Sequence, residues 1–221
     1  MNFNGDPCLL GEQPGTIVST VGADATSRFI ELCCLFFRPF TPVRSHVALL
    51  IHVGLSDLYR PESYRRFVRP VAWCEGTYLL ESSGMPYEVC LLSKRLVEGV
   101  QLHGLDHFDH VPGRVWVSRL KKPLTAAEST RLTERALNRI GEEYDTSAAV
   151  LTPGRILRAL HHAFRWRKRR QQFCVETAGK LLDYAIGDRP GFPDIDPELM
   201  TPGEFVVATT GALYHKPVRV K

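Results

Sequence analysis

The chain has 221 residues, 44% of them hydrophobic and 24% charged, with a formal net charge of +4. That length suits one substantial core rather than two, and no apolar run approaches the ~20 residues of a membrane helix. The modest charge excludes a chain-wide polyanion binder, although seven basic residues and no acid stand between Arg155 and Arg170.

Met1 to Gln13 shows no basic patch followed by an apolar stretch and a small-residue cleavage site. A cytoplasmic location is therefore expected, with a place in a virion as the alternative. The six cysteines (Cys8, Cys33, Cys34, Cys74, Cys90 and Cys174) are scattered and form no C-x-x-C pair. Reduced thiols are expected rather than a disulfide framework or a zinc site.

In chain order, Pro14-Gly15 opens a β-type run from Thr16 to Val21, and Ser27 suits the cap of a helix from Arg28 to about Phe37. Ser45 to Val53 is too rich in apolar and β-branched residues for a surface loop and reads as a buried strand. Further β-type runs are Thr77 to Glu81, Val89 to Leu92 and Arg114 to Leu120. After Pro123 the apolar period becomes helical, through Leu124, Leu132, Ala136, Leu137 and Ile140, behind a capping box of Thr125 and Glu128. A second helix is expected after Pro153 and a third from Phe173 to Ile186, ending at Gly187. The proline-bearing tail from Asp188 onward wraps the domain, and Glu204 to Ala208 offers an edge strand. Strands first and helices later indicate an α+β fold. One domain is expected over 1–221, with its core at about 14–208.

Cys174 stands at the start of the third helix, ahead of inward-spaced Val175, Ala178, Leu181, Leu182 and Ala185. Unpaired amides and the positive end of a helix dipole favour a thiolate there and can receive an oxyanion. A small buried hydrophobe is the alternative role of such a cysteine. His46 begins an apolar strand, where an imidazole can serve as general base. Glu81 ends another, where a carboxylate can hold that imidazole in its productive tautomer. Alone, each has an ordinary structural explanation.

Their order is more informative. Ser45-His-Val-Ala-Leu-Leu-Ile, then Leu-Leu-Glu81, then Gly141-Glu-Glu-Tyr-Asp145, then Phe-Cys-Val-Glu176 resembles the circularly permuted branch of the NlpC-type papain-like superfamily. The resemblance runs from Pro14-Gly15-Thr-Ile-Val18, similar to that family's opening strand, to Met200-Thr-Pro-Gly203, similar to its closing segment. It implies a permuted papain-like fold, with a small, mainly antiparallel sheet packed against the cysteine-bearing helix. Bacterial amidohydrolases, poxviral proteins and the lecithin retinol acyltransferase group share that fold. It further implies Cys174 as nucleophile, His46 as base, Glu81 as third polar member and Tyr144 as a donor to substrate or oxyanion. The residue after the cysteine, frequently small in that family, is Val175 here. A narrower groove follows.

The expected activity is a thiol hydrolase or acyltransferase acting on an amide, ester or thioester through an acyl-enzyme, with a peptide, isopeptide or acyl lipid as substrate. No cofactor and no metal are expected. His103-Gly-Leu-Asp-His-Phe-Asp-His110 has the composition of a metal site, but its spacing matches no standard motif, and it reads as a loop before the turn at Pro112-Gly113. His52 shares a strand face with His46 but lies ~20 Å along it. The basic segment of Arg165, Arg167, Lys168, Arg169 and Arg170 suits nucleic acid or anionic lipid headgroups. The alternative function is accordingly an idle papain-like scaffold within a larger assembly, binding through that basic surface.

Overall fold

The computed structural model describes residues 8–23, 27–29, 31–32, 42–54, 75–84, 88–92, 95–110, 113–145 and 171–221. Within them the fold is α+β, built on a six-stranded antiparallel sheet. The strands are β1 (Ile17–Gly22), β2 (His46–Val53), β3 (Gly76–Ser83), β4 (Gly99–His103), β5 (Gly113–Ser118) and, late in the chain, β8 (Val218–Arg219). Their spatial order is β4-β3-β2-β1-β5-β8. A separate two-residue parallel ladder joins β6 (Glu143–Tyr144) to β7 (Gln171–Gln172).

Both faces of the sheet are buried, so its strands read as near-continuous apolar runs. Strand alternation sends Ile17, Val47, Leu49, Ile51, Leu80 and Leu102 to one face, where they pack with the apolar sides of two helices. These are α2 (Ala126–Leu137) and α3 (Cys174–Ile186). The other face carries Val18, Ala48, Leu50, Leu79, Val115 and Val117, covered by Leu9 and Phe108. Phe108 belongs to α1 (His107–His110), a single helical turn.

The expected capping box of α2 is present, with Thr125 and Glu128 bonded reciprocally. Arg189 adds a fork to the same carboxylate, Nε to Oε1 at 2.7 Å and Nη2 to Oε2 at 2.6 Å, which ties the chain beyond α3 to the start of α2. Gly179 lets the tail approach α3: a Cβ there would stand 2.4 Å from a side-chain carbon of Pro197, in the short 3-10 turn Pro197–Leu199.

The structure corrects three sequence expectations. Val89 to Leu92 is not a strand, because the Cys90 amide turns back to the Arg95 carbonyl at 3.0 Å and closes a turn. Glu204 to Ala208 lies in a helix, α4 (Pro202–Thr209), since Thr201 and Glu204 form a second capping box with Pro202 in the first turn. The tail supplies its edge strand later, at β8, where Val218 pairs with Val117. The third concerns His103 to His110, which holds the end of β4 and the turn of α1 rather than a loop.

Helical residues 27–29 and 31–32 agree with the start of the first expected helix. The remainder of that helix, the one expected after Pro153, and Cys33, Cys34 and Cys74 lie outside the described residues. Cys8, Cys90 and Cys174 are buried free thiols. No helix among the described residues is long and apolar enough to cross a membrane.

Candidate functional site

Three elements meet at one end of the sheet. His46 is the first residue of β2, Glu81 lies near the end of β3, and Cys174 opens α3. The register pairs Ala48 with Glu81, so His46, two residues before Ala48, points to the same face as the carboxylate. The His46 Nε2 donates to Glu81 Oε2 at 2.9 Å. The Cys174 sulfur lies close enough to the same ring to favour its charged form. With Nε2 engaged by the carboxylate, Nδ1 is the nitrogen left for sulfur.

Burial opposes a charge on this ring, but the Cys174 sulfur and the Glu81 carboxylate outweigh it and push the His46 pKa up to about 10. Burial likewise opposes the Glu81 anion. The facing imidazoles of His103 and His107 and the hydrogen bond from His46 outweigh that and hold its carboxyl well below the usual range. Glu81 therefore stays an acceptor. His46 is 17% exposed against 4% for Glu81, so of the two the ring is the nearer to solvent.

Tyr144 reaches the site through the parallel ladder, which pairs it with Gln172, two residues before Cys174. Its ring lies against Gly84, just beyond β3, where an added Cβ would stand 2.7 Å from Tyr144 Cδ1. Burial, and then the negative charge of Cys174, Glu81 and Asp145, push the phenol pKa well above its ordinary value. It remains a hydrogen-bond donor. At the start of α3, the N-cap Phe173 makes no side-chain bond to the helix amides. Glu176, in the first turn, is buried and receives Lys180 Nζ at 2.7 Å, as a helix-start residue would.

The chain thus brings Cys174, His46, Glu81 and Tyr144 together. His52 stands apart at the far end of β2, 3.5 Å from Glu75. The basic residues Arg165, Arg167, Lys168, Arg169 and Arg170 lie outside the described residues.

Sequence reasoning missed the far side of Glu81. Gln101 pairs with it across β3 and β4 and donates Nε2 to Oε1 at 3.3 Å. His103 Nε2 and His107 Nε2 lie 3.5 and 3.4 Å from the same oxygen. The two imidazoles stack at 4.0 Å between centroids. His107 Nδ1 donates to Glu88 Oε2 at 2.9 Å. The available signal was alternation: Gln101 and His103 are polar between apolar Val100 and Leu102 on a strand that should be buried on both faces. Glu81, His103 and His107 each offer a ligand atom within 4.8 Å of the others and could hold a metal ion.

No family model matches this chain, and no curated protein matches it. Among solved structures, it is similar to the crystal structure of the metalloprotein YiiX from Escherichia coli O157:H7. The two are 17% identical over 94% of this chain and 88% of that one, with a TM-score of 0.48.

Proposed function

We propose that this chain is a thiol hydrolase of the permuted papain-like type, with Cys174 as nucleophile, His46 as base and Glu81 as the group that orients it. The supporting observation is the His46 ring, held through Nε2 by a buried carboxylate while it meets the Cys174 thiol. A ring fixed in this way presents Nδ1 to sulfur in one orientation, which is the geometry that activates a nucleophile.

In the reaction, His46 holds the thiol proton while sulfur attacks the carbonyl carbon of an amide, ester or thioester. Negative charge develops on the carbonyl oxygen. The first amides of α3, which receive no bond from Phe173, and the Tyr144 hydroxyl are the donors available to it. Collapse breaks the bond to the leaving group, and His46 gives that group its proton. Water, or another acceptor in a transfer reaction, then attacks the acyl-enzyme, with His46 taking its proton. The carbon–sulfur bond breaks, the acid or transferred acyl product leaves, and the proton on His46 returns to sulfur to restore the free thiol.

The test is labelling of the full chain by a thiol-directed electrophilic probe, followed by mass analysis of the modified peptide. Wild type should label at Cys174, Cys174→Ala should not, and His46→Ala should label at least tenfold more slowly at neutral pH. Equal labelling of wild type and Cys174→Ala would defeat the reading and leave an idle scaffold as the better account of the fold.

A further inference from the structure

We propose that Glu81 Oε1, His103 Nε2 and His107 Nε2 form a binding site for one divalent transition-metal ion of the zinc type. The observation behind it differs from that of the thiol site and stands without it. Three possible ligand atoms, all on buried residues, converge within 4.8 Å of one another.

Two of the three ligand-to-ligand distances match the edge of a coordination tetrahedron. Oε1 lies 3.4 Å from His107 Nε2 and 3.5 Å from His103 Nε2. In a tetrahedron the ligand-to-ligand edge is ~1.63 times the metal bond, so these edges correspond to bonds of about 2.1 Å, the length zinc takes with imidazole nitrogen and carboxylate oxygen. Direct hydrogen bonds would have drawn the atoms closer, to about 2.9 Å. His103 Nε2 makes no hydrogen bond, although its side chain is only 1% exposed. A buried polar atom without a partner is uncommon and points to an unfilled role.

The carboxylate behind the rings is consistent with ligation. His107 Nδ1 donates to Glu88 Oε2 at 2.9 Å, and His103 Nδ1 lies 3.8 Å from the same oxygen. A neutral imidazole that donates through Nδ1 carries its lone pair on Nε2, and a carboxylate behind the ring is the usual support of a metal-bound histidine. Gln101 Nε2, 3.3 Å from Oε1, braces the third ligand. The two rings stack with an interplanar angle of 16°, so loading would tilt the stack until both lone pairs aim at the ion. Two nitrogens and one carboxylate oxygen suit zinc and its first-row neighbours better than calcium or magnesium, which prefer oxygen throughout. Because β3, β4 and α1 each contribute one ligand, the ion would pin the single-turn helix to the sheet.

The experiment is a zinc titration of the purified full-length protein against a chromophoric chelator, with elemental analysis after desalting and a cobalt-substituted absorption spectrum. Wild type and Cys174→Ser should each retain one equivalent of zinc, and cobalt should give the intense visible bands of a four-coordinate site. His103→Ala and His107→Ala should each lose at least a hundredfold in affinity. Glu88→Gln, which leaves all three ligands in place, should lose ten- to a hundredfold. His110→Ala, on the exposed end of α1, should bind as wild type. Absence of stoichiometric zinc from wild type, or affinity unchanged in both His103→Ala and Glu88→Gln, would overturn the proposal. Loss of binding in Cys174→Ser would assign the metal to the thiol and His46 instead. Should either alanine variant fail to fold, Glu88→Gln against His110→Ala carries the same decision.

Discussion

Replacing Gly84 with alanine tests how Tyr144 is held beside Cys174. An added Cβ would stand 2.7 Å from Tyr144 Cδ1 and 2.9 Å from Cε1. Carbon atoms in contact settle at ~3.5–4.0 Å, so the ring must retreat by about 1 Å. It cannot do so freely, because its backbone is paired with Gln172 two residues before Cys174. Overpacking of this kind costs ~1–3 kcal/mol, and the displacement passes to the start of α3. Urea denaturation of wild type, Gly84→Ala, Tyr144→Ala and the double variant isolates the contact. Gly84→Ala should lose ~1–3 kcal/mol in the wild-type background and under ~0.5 kcal/mol when Tyr144 is already alanine, the difference being the coupling of two residues in contact. Tyr144→Phe keeps the ring and should keep the cost. Labelling of Cys174 should slow in Gly84→Ala. An equal loss of stability in both backgrounds would refute the reasoning, since the ring would then not be what the new methyl group meets.

Two further outcomes concern the frame around the site. The Arg189 fork, with smaller help from Thr125, lowers the Glu128 pKa to about 2 from an ordinary 4.5, so its contribution to stability is complete above about pH 4.5 and is lost as pH falls through about 2. Glu128→Gln should cost ~1–2 kcal/mol at pH 7, as expected for losing a charge-assisted pair, and acid denaturation curves should show its stability falling less between pH 4.5 and 2 than that of wild type. The second is Tyr214→Phe. Its fully buried hydroxyl donates to the Gly15 carbonyl at 2.8 Å, clamping the tail to the turn before β1, and its loss leaves that buried carbonyl unpaired. Chemical denaturation should show a cost of ~1–3 kcal/mol.

What the sequence made legible was what local chemistry determines. The apolar runs gave β1, β2, β3 and β5 nearly to the residue, and the Thr125–Glu128 pair marked the start of α2. Glu204 to Ala208 misled because Phe-Val-Val carries β-propensity, while the Thr201–Glu204 box and Pro202 outweigh it by satisfying the first amides of a helix. Gly99 to His103 was passed over because Gln101 and His103 interrupt its apolar character, and they do so because they line the pocket around Glu81. Strand β4 looked weak for the same reason that it bears polar site residues. His46, Glu81 and Cys174 were readable because each stands at the end of a strongly patterned element and because the three occur in the order of the family they resemble. The histidine pair was not. His103 and His107 are separated by the turn from β4 into α1, and only the folded backbone shows that a strand residue and a helix residue stack on one another.

Glu81 is shared by the two proposed sites, which would account for its side-chain type. Oε2 accepts from His46, while Oε1 faces Gln101, His103 and His107. A glutamine has one acceptor oxygen and one donor nitrogen, so it could serve the imidazole or a cation but not both. Turned with its oxygen toward His46, it would point an N–H pair at two imidazole lone pairs and offer a cation nothing. Turned the other way, it would present a donor to the His46 nitrogen that must itself donate. A carboxylate satisfies both sides at once, and a cation on Oε1 would also stop rotation about its last bond, keeping Oε2 on the ring. If both proposals hold, orientation of His46 by Glu81 would depend on what occupies the opposite side of the same carboxylate, and the buried histidine pair would enter the physical account of the proposed thiol site without touching sulfur.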